Sequence, residues 1–192
     1  MSITESLNAR SEGKSRYELE TAVYEPSVKV REAIYKAKKA SEPNRIPTTE
    51  VAKLIRLALK ETFEGTKFSV KSHKYSMGSS INIYWTDGPR SIEVKPIENF
   101  FRGAHFDGMI DLKSYVHTEL YVGENIGTVA VEFGVDYVFG RREYSEEAKA
   151  LAATISEDDE LFREECIDIF YGLRDSEKEW TKLGHMNFEG IV

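Results

Sequence analysis

Between Lys67 and Thr86 apolar and polar residues alternate twice, with a turn between the two runs. Phe68 and Val70 alternate with Lys67, Ser69 and Lys71, and Ile81, Ile83 and Trp85 alternate with Asn82, Tyr84 and Thr86. A period of two sends successive side chains to opposite faces, so the spacing predicts a hairpin over 67–86 with one buried and one polar face. Gly78 supplies a permissive turn backbone, and Asp87-Gly88-Pro89 ends the second strand. Elsewhere the period is helical. Val28 or Val30 with Ala33, Ile34 and Ala37 predicts a helix that stops before Pro43, with Lys36, Lys38 and Lys39 near its C-terminal end. Pro47-Thr48-Thr49 supplies an N-cap for a second helix, whose Val51, Leu54, Ile55, Leu57, Ala58 and Phe63 form an apolar face up to Gly65. From Ser91, the positions of Ile92, Val94, Ile97, Phe100 and Phe101 predict a third helix ending at Gly103, with a kink or a late start at Pro96. The run TVAVEFGVDYVFG is β-branched and aromatic and predicts a strand over about 127–139, or a bent pair of strands with Gly134 as a bulge.

The last third reads as helices. Ser145 opens one, Ser156 with Asp159 caps another that carries Phe162, Cys166, Ile169, Phe170 and Leu173 as a stripe, and Ser176 with Glu179 caps a short last one that Gly184 ends. The predicted fold class is α+β: a small antiparallel sheet, made of the 67–86 hairpin and the 127–139 strand, covered by helices and followed by a helical C-terminal third. The expected organisation is an N-terminal arm and helix over 1–44, an α+β core over 45–145, and an acidic helical extension over 146–192 packed on that core.

Composition narrows the setting. A chain of 192 residues, 41% of them hydrophobic, can bury the core of one domain. Its apolar runs are broken by charges well short of the roughly 20 residues a membrane span needs. The opening MSITESLNARSEGKSRYELE has no apolar stretch of the signal-peptide kind, so a cytoplasmic location away from membranes is expected. Cys166 is the sole cysteine, which excludes an internal disulfide and a Cys-based zinc site. The net charge of −7 is unevenly spread: from Glu143 onward there are 14 acidic residues against 5 basic, leaving 21 basic and 19 acidic before it. Such a segment repels nucleic acid and suits either a basic protein partner or simple solvation. Glu157, Asp158, Glu160, Glu164 and Asp168 fall opposite the Phe162 stripe and form the candidate acidic binding surface.

Candidate chemistry is sparse. His105, Asp107, Asp111, His117 and Glu119 are residue types that zinc, manganese or iron would use, and an enzyme centred on Asp107, Asp111 and His117 is one reading. Their spacing fits no ligand pattern, and Asp107-Gly108 reads equally as a turn. His73 and Tyr75 stand beside the hydroxyls of Ser76, Ser79 and Ser80, but no acid nearby in sequence orients the imidazole. YSMGSS lacks the glycine and lysine spacing of a phosphate loop. No catalytic residue, metal or cofactor is therefore expected. Nucleic acid has a more concrete basis. Lys67, Lys71, His73, Lys74 and Tyr75 place positive charge and an aromatic ring along one strand, and Arg141 and Arg142 can add to it. The acidity of the whole chain weighs against this reading, since phosphate binding draws on clustered cations.

Three segments carry a resemblance. KFSVKS with YSMGSSINIYWTDGP, then FDGMIDL, then VDYVFGRREYS, in that order between Arg45 and about Ser145, resemble the large polyvalent protein-associated domain 29 family. The resemblance implies a setting in phages and conjugative elements, where such domains are thought to support the survival of incoming DNA, including against host defences. It carries over no site residue. The chain is expected to act without effector domains, and it differs from relatives by the short segment HTELYVGENIG in place of a longer loop. Three functions follow, in this order: a non-enzymatic anti-defence protein, for example an anti-CRISPR inhibitor, docking on a host defence protein or nuclease complex through its acidic surface; a nucleic-acid-binding accessory protein using the strand 67–75; and the metal-dependent nucleic-acid or nucleotide enzyme.

Overall fold

A computed structural model of the chain describes residues 22–41, 45–76, 78–107, 109 and 112–146. The elements run α1 (Val28–Lys39), β1 (Arg45–Pro47), α2 (Thr48–Thr62), β2 (Ser69–Tyr75), β3 (Gly78–Thr86), α3 (Ser91–Phe101), β4 (Ala104–Asp107), β5 (Leu112–Tyr115), β6 (Thr118–Gly123), β7 (Gly127–Gly134) and β8 (Tyr137–Glu143). The predicted hairpin is present: β2 and β3 pair antiparallel, from Ser69 opposite Tyr84 to Tyr75 opposite Gly78. The three helices also fall where the 3.6-residue period puts them. Ser27 caps α1 by accepting from the Val30 N–H, and the Arg90 N–H at the start of α3 donates to Glu93 Oε2 at 2.8 Å. Pro96 neither delays nor ends α3, which begins at Ser91 and holds Pro96 in its interior.

The sheet departs from expectation. Instead of one antiparallel sheet there are two mixed three-stranded sheets, ordered β1-β7-β6 and β2-β3-β8, and a two-stranded ribbon β4-β5. β1 pairs parallel with β7, and β3 pairs parallel with β8. The run read as one strand over 127–139, or as a bent pair with a bulge at Gly134, is two strands that divide after Gly134 and lie in different sheets. The chain leaves one sheet at Gly134, buries Val135 and Asp136, and enters the other at Tyr137. Main-chain bonds tie this crossing down: the Gly103 N–H donates to the Val135 carbonyl and the Asp136 N–H to the Ser79 carbonyl. β4 and β5 occupy a stretch read as a turn and candidate ligands, and β6 lies where His117 and Glu119 alternate. The expected helical C-terminal third lies outside the described residues.

One core joins these parts. Val30 and Ile34 of α1, Val51, Ile55, Ala58 and Leu59 of α2, and Val94, Ile97 and Phe101 of α3 are buried with Ile81, Ile83 and Trp85 of β3 and with Val131 and Phe133 of β7. The helices α2 and α3 pack on one face of β2-β3-β8, which leaves the other face without a helical cover among the described residues. No described helix is long and apolar enough to cross a membrane.

Glu98 of α3 is buried in this core, held by Lys95 Nζ at 3.0 Å and by the Gly140 N–H. Desolvation outweighs both and raises its pKa above the ordinary carboxylate value. Because the folded state holds the proton more tightly than the unfolded state, this group favours folding at low pH. That contribution is lost as pH rises from the ordinary carboxylate range through the raised value. Glu98→Gln is expected to flatten this decline, as read from thermal melts across mildly acidic to neutral pH.

Candidate nucleic-acid interface

Strand parity and register build the uncovered face of β2-β3-β8. Lys71 lies opposite Asn82, which lies opposite Phe139; His73, Ser80 and Tyr137 form a second row; Ser69, Tyr84 and Arg141 form a third. The side chains of one parity point outward, while Val70, Ile81, Ile83, Trp85 and Val138 of the other parity are buried. Tyr75 and Phe139 are 51% and 46% exposed, large values for aromatic rings on a folded sheet. Tyr137 and Phe139 stack with centroids 6.0 Å apart, and Lys71 Nζ sits 5.3 Å from the centre of the Tyr84 ring. The face therefore interleaves rings with cations. Glu143 is the acidic residue of the same parity on β8, at the far end beside Thr86.

This arrangement sorts the sequence candidates. Lys71, His73, Tyr75 and Arg141 come together on the open face. Lys67 is exposed but precedes β2. Lys74 has the opposite parity and lines a cavity beneath the hairpin turn. Arg142 also points away: it is largely buried and donates to the carbonyls of Asp87 and Gly88, at 3.3 and 3.1 Å. Desolvation lowers its pKa from the usual guanidinium value. Tyr84, Tyr137 and Phe139 were absent from the sequence candidates: Tyr84 stands on the polar face of the predicted hairpin, opposite Ser69, while parallel pairing of β8 with β3 is what brings Tyr137 and Phe139 to that face.

Among the described residues the metal candidates do not assemble. His105 is exposed on β4 opposite Ser114, Asp107 stands on β4 opposite Leu112, and Asp111 lies outside the described residues. His117 Nε2 and Glu119 Oε1 are 3.9 Å apart at the surface. No group of three or more metal-ligating residues forms among the described residues. The acidic stripe Glu157, Asp158, Glu160, Glu164 and Asp168 lies outside the described residues.

At the edge of the face, under the β2-β3 turn, polar groups gather around Asp136. This carboxylate is 3% exposed; Oδ2 accepts from the Ser79 N–H at 3.0 Å and pairs with Lys113 Nζ at 2.6 Å, while Arg45 stands 4.0 Å from Oδ1. Burial alone would lower the Lys113 pKa, but its hydrogen bond and charge interaction with Asp136 reverse this and raise it. The hydroxyls of Thr48 and Ser79 both donate to the Gly134 carbonyl, at 2.6 and 3.2 Å. The guanidinium of Arg45 and the ammonium of Lys113 flank the Tyr115 ring at 4.9 and 5.1 Å. Gly78 makes this packing possible, since a Cβ there would lie 2.0 Å from Asp136 Oδ2. Tyr75 links cavity and face: its phenol pKa is raised, first by desolvation and then by the charge of Asp136.

Together these features define an α+β domain with an aromatic and cationic sheet face that has no helical cover among the described residues. The chain belongs to the large polyvalent protein associated domain 29 family, which matches residues 46–145 and so spans α2 to β8. The family associates it with the polyvalent proteins of phages and mobile elements. No curated protein and no solved structure matches the chain.

Proposed function

We propose that the chain is a nucleic-acid-binding accessory protein of a phage or mobile element that holds single strands on the open face of β2-β3-β8. The observation that carries this reading is the three-row register, which puts Tyr84, Tyr137 and Phe139 on the same face as Lys71, His73 and Arg141. Unpaired bases offer flat apolar faces for the rings, and their phosphates suit the cations between them. Each stacked base contributes about 1–3 kcal/mol. The core of a protein–protein interface, by contrast, is depleted of charged residues. Duplex DNA keeps its bases stacked inside, so the rings favour single strands.

A second reading, docking of an anti-defence inhibitor on a host nuclease complex, is favoured by the charge asymmetry of 14 acidic against 5 basic residues from Glu143 onward. One set of variants separates the two. Fluorescence polarisation with labelled oligothymidylate is expected to show salt-dependent binding that Tyr137→Ala with Phe139→Ala weakens at least about tenfold. Lys71→Gln with Arg141→Gln is expected to flatten the slope of log affinity against log salt by about 1.4. Charge reversal of Glu157, Asp158, Glu160 and Glu164 to Lys is expected to leave this binding in place. No binding at low salt, or full binding by the aromatic double variant, would rule out the sheet face. Capture of a purified nuclease complex that is lost only in the charge-reversed variant would support the second reading instead.

A further inference from the structure

The cavity beneath the hairpin turn has a volume of about 460 Å³ and is lined by Arg45, Lys74, Ser76, Ser79, Tyr115 and Asp136 among others. That volume lies within the range of small-ligand sites, about 300–1,000 Å³. Its charge is one-sided. Asp136 is matched by Lys113 at 2.6 Å, so the longer 4.0 Å contact leaves Arg45 largely uncompensated. Lys74 is exposed and has no ion pair among the described residues. Glu132, beside Arg45 in the parallel register, lies outside the cavity lining. Two cations thus line a depression whose floor holds the buried residues Thr48, Ser79 and Asp136. Thr48 and Ser79 have committed their hydroxyl protons to the Gly134 carbonyl, which leaves Arg45 and Lys74 as the charged donors toward a ligand.

We propose that this cavity receives a phosphate monoester, the terminal phosphate of the strand held on the sheet, with Arg45 and Lys74 as its charge partners. The assignment of the strand end rests on the sheet-face reading; the chemistry of the cavity does not. An internal phosphodiester carries one charge and leaves one of the two cations unmatched. A terminal phosphate carries close to two charges at neutral pH, one for each cation. Arg45 can engage two of its oxygens at once, with Lys74 as a mobile point charge. The route from the face is short in sequence and in space. Tyr75 is adjacent to Lys74, pairs with Gly78 of the lining, and its phenol senses the charges of both Asp136 and Lys113.

The test compares oligothymidylates of about 16 nucleotides bearing a 5′-phosphate, a 3′-phosphate or no terminal phosphate, with a closed circle as the endless control. One phosphorylated end is expected to bind about tenfold more tightly than the unphosphorylated strand. Arg45→Gln or Lys74→Gln is expected to bring that ratio to about one, and Arg45→Lys to restore part of it. Melting temperatures of all variants verify that they are folded. Equal affinity for all ends, or a preference that survives Arg45→Gln and Lys74→Gln, overturns the proposal. If no strand binds at all, the sheet-face reading fails, and thymidine 3′- and 5′-monophosphates probe the cavity directly. A rise in melting temperature that Arg45→Gln abolishes sustains the monoester site on its own; no rise with either nucleotide overturns it.

Discussion

Trp85→Ala is expected to destabilise the domain by about 3–5 kcal/mol, as large aromatic truncations in packed cores do. The indole is 3% exposed, contacts the Phe68 ring at 5.6 Å, and through Phe68 joins the Phe63 ring. Its Nε1–H donates to the Pro89 carbonyl at 2.8 Å, so one side chain both fills the space between sheet and helices and fastens the loop after β3. Alanine removes the packing and leaves that carbonyl without its donor. Phenylalanine keeps much of the volume and loses only the hydrogen bond, which predicts a smaller loss of about 1–3 kcal/mol. Urea unfolding of both variants checks the order. Equal losses would mean that the hydrogen bond, and not the ring, carries the stability at this position.

Gly103→Ala is expected to cost at least about 3 kcal/mol, at the upper end of overpacking effects. A Cβ on Gly103 would stand 2.2 Å from the Phe133 carbonyl oxygen and 2.6 Å from that of Val135. Both are main-chain atoms that cannot rotate away as a side chain could. Gly103 also donates to the Val135 carbonyl and accepts from the Val116 N–H, so displacing it disturbs the junction of α3, β5 and the crossing between sheets. Gly123→Ala is the matched comparison. Nothing lies within 4 Å of a Cβ at Gly123, and a change of a few tenths of a kcal/mol is expected there. Thermal melts of the two variants side by side test whether close backbone packing sets the difference.

The hairpin and the three helices were legible because each buries one face and exposes the other, so period alone identifies them. The ribbon strand β5 was not. Leu112, Ser114, Tyr115 and Val116 are all exposed, which erases the alternation that a half-buried strand would show, whereas β6 does alternate, with Leu120 and Val122 buried and Glu119 and Tyr121 exposed. That the two strands around Gly134 join different sheets was hidden for another reason. Val135 and Asp136 are both buried, and β-branched and aromatic residues continue on either side of the one charge. Of the candidate interface, Lys71, His73 and Tyr75 could be read along one strand. Parity alone would have separated Arg141 from Arg142 and Lys71 from Lys74. Tyr84 could be placed on the polar face of the same hairpin, but Tyr137 and Phe139, and the cavity residues Arg45, Lys113 and Asp136, are joined only by tertiary pairing and leave no local trace.

The two parallel pairings also govern how the chain can acquire its fold on the ribosome. Arg45 pairs with Glu132, 87 positions later, and Ser80 pairs with Tyr137, 57 positions later. Parallel partners this far apart must await most of the nascent chain before any contact offsets the entropy of closing the loop. At synthesis rates of about 5–20 residues per second, the β2-β3 hairpin emerges seconds before β8 is available to it. During that interval Ile81, Ile83 and Trp85 stand on an unpaired strand edge, a template for pairing with neighbouring nascent chains. Co-expression with a chaperone that shields that edge is accordingly expected to raise the yield of folded protein.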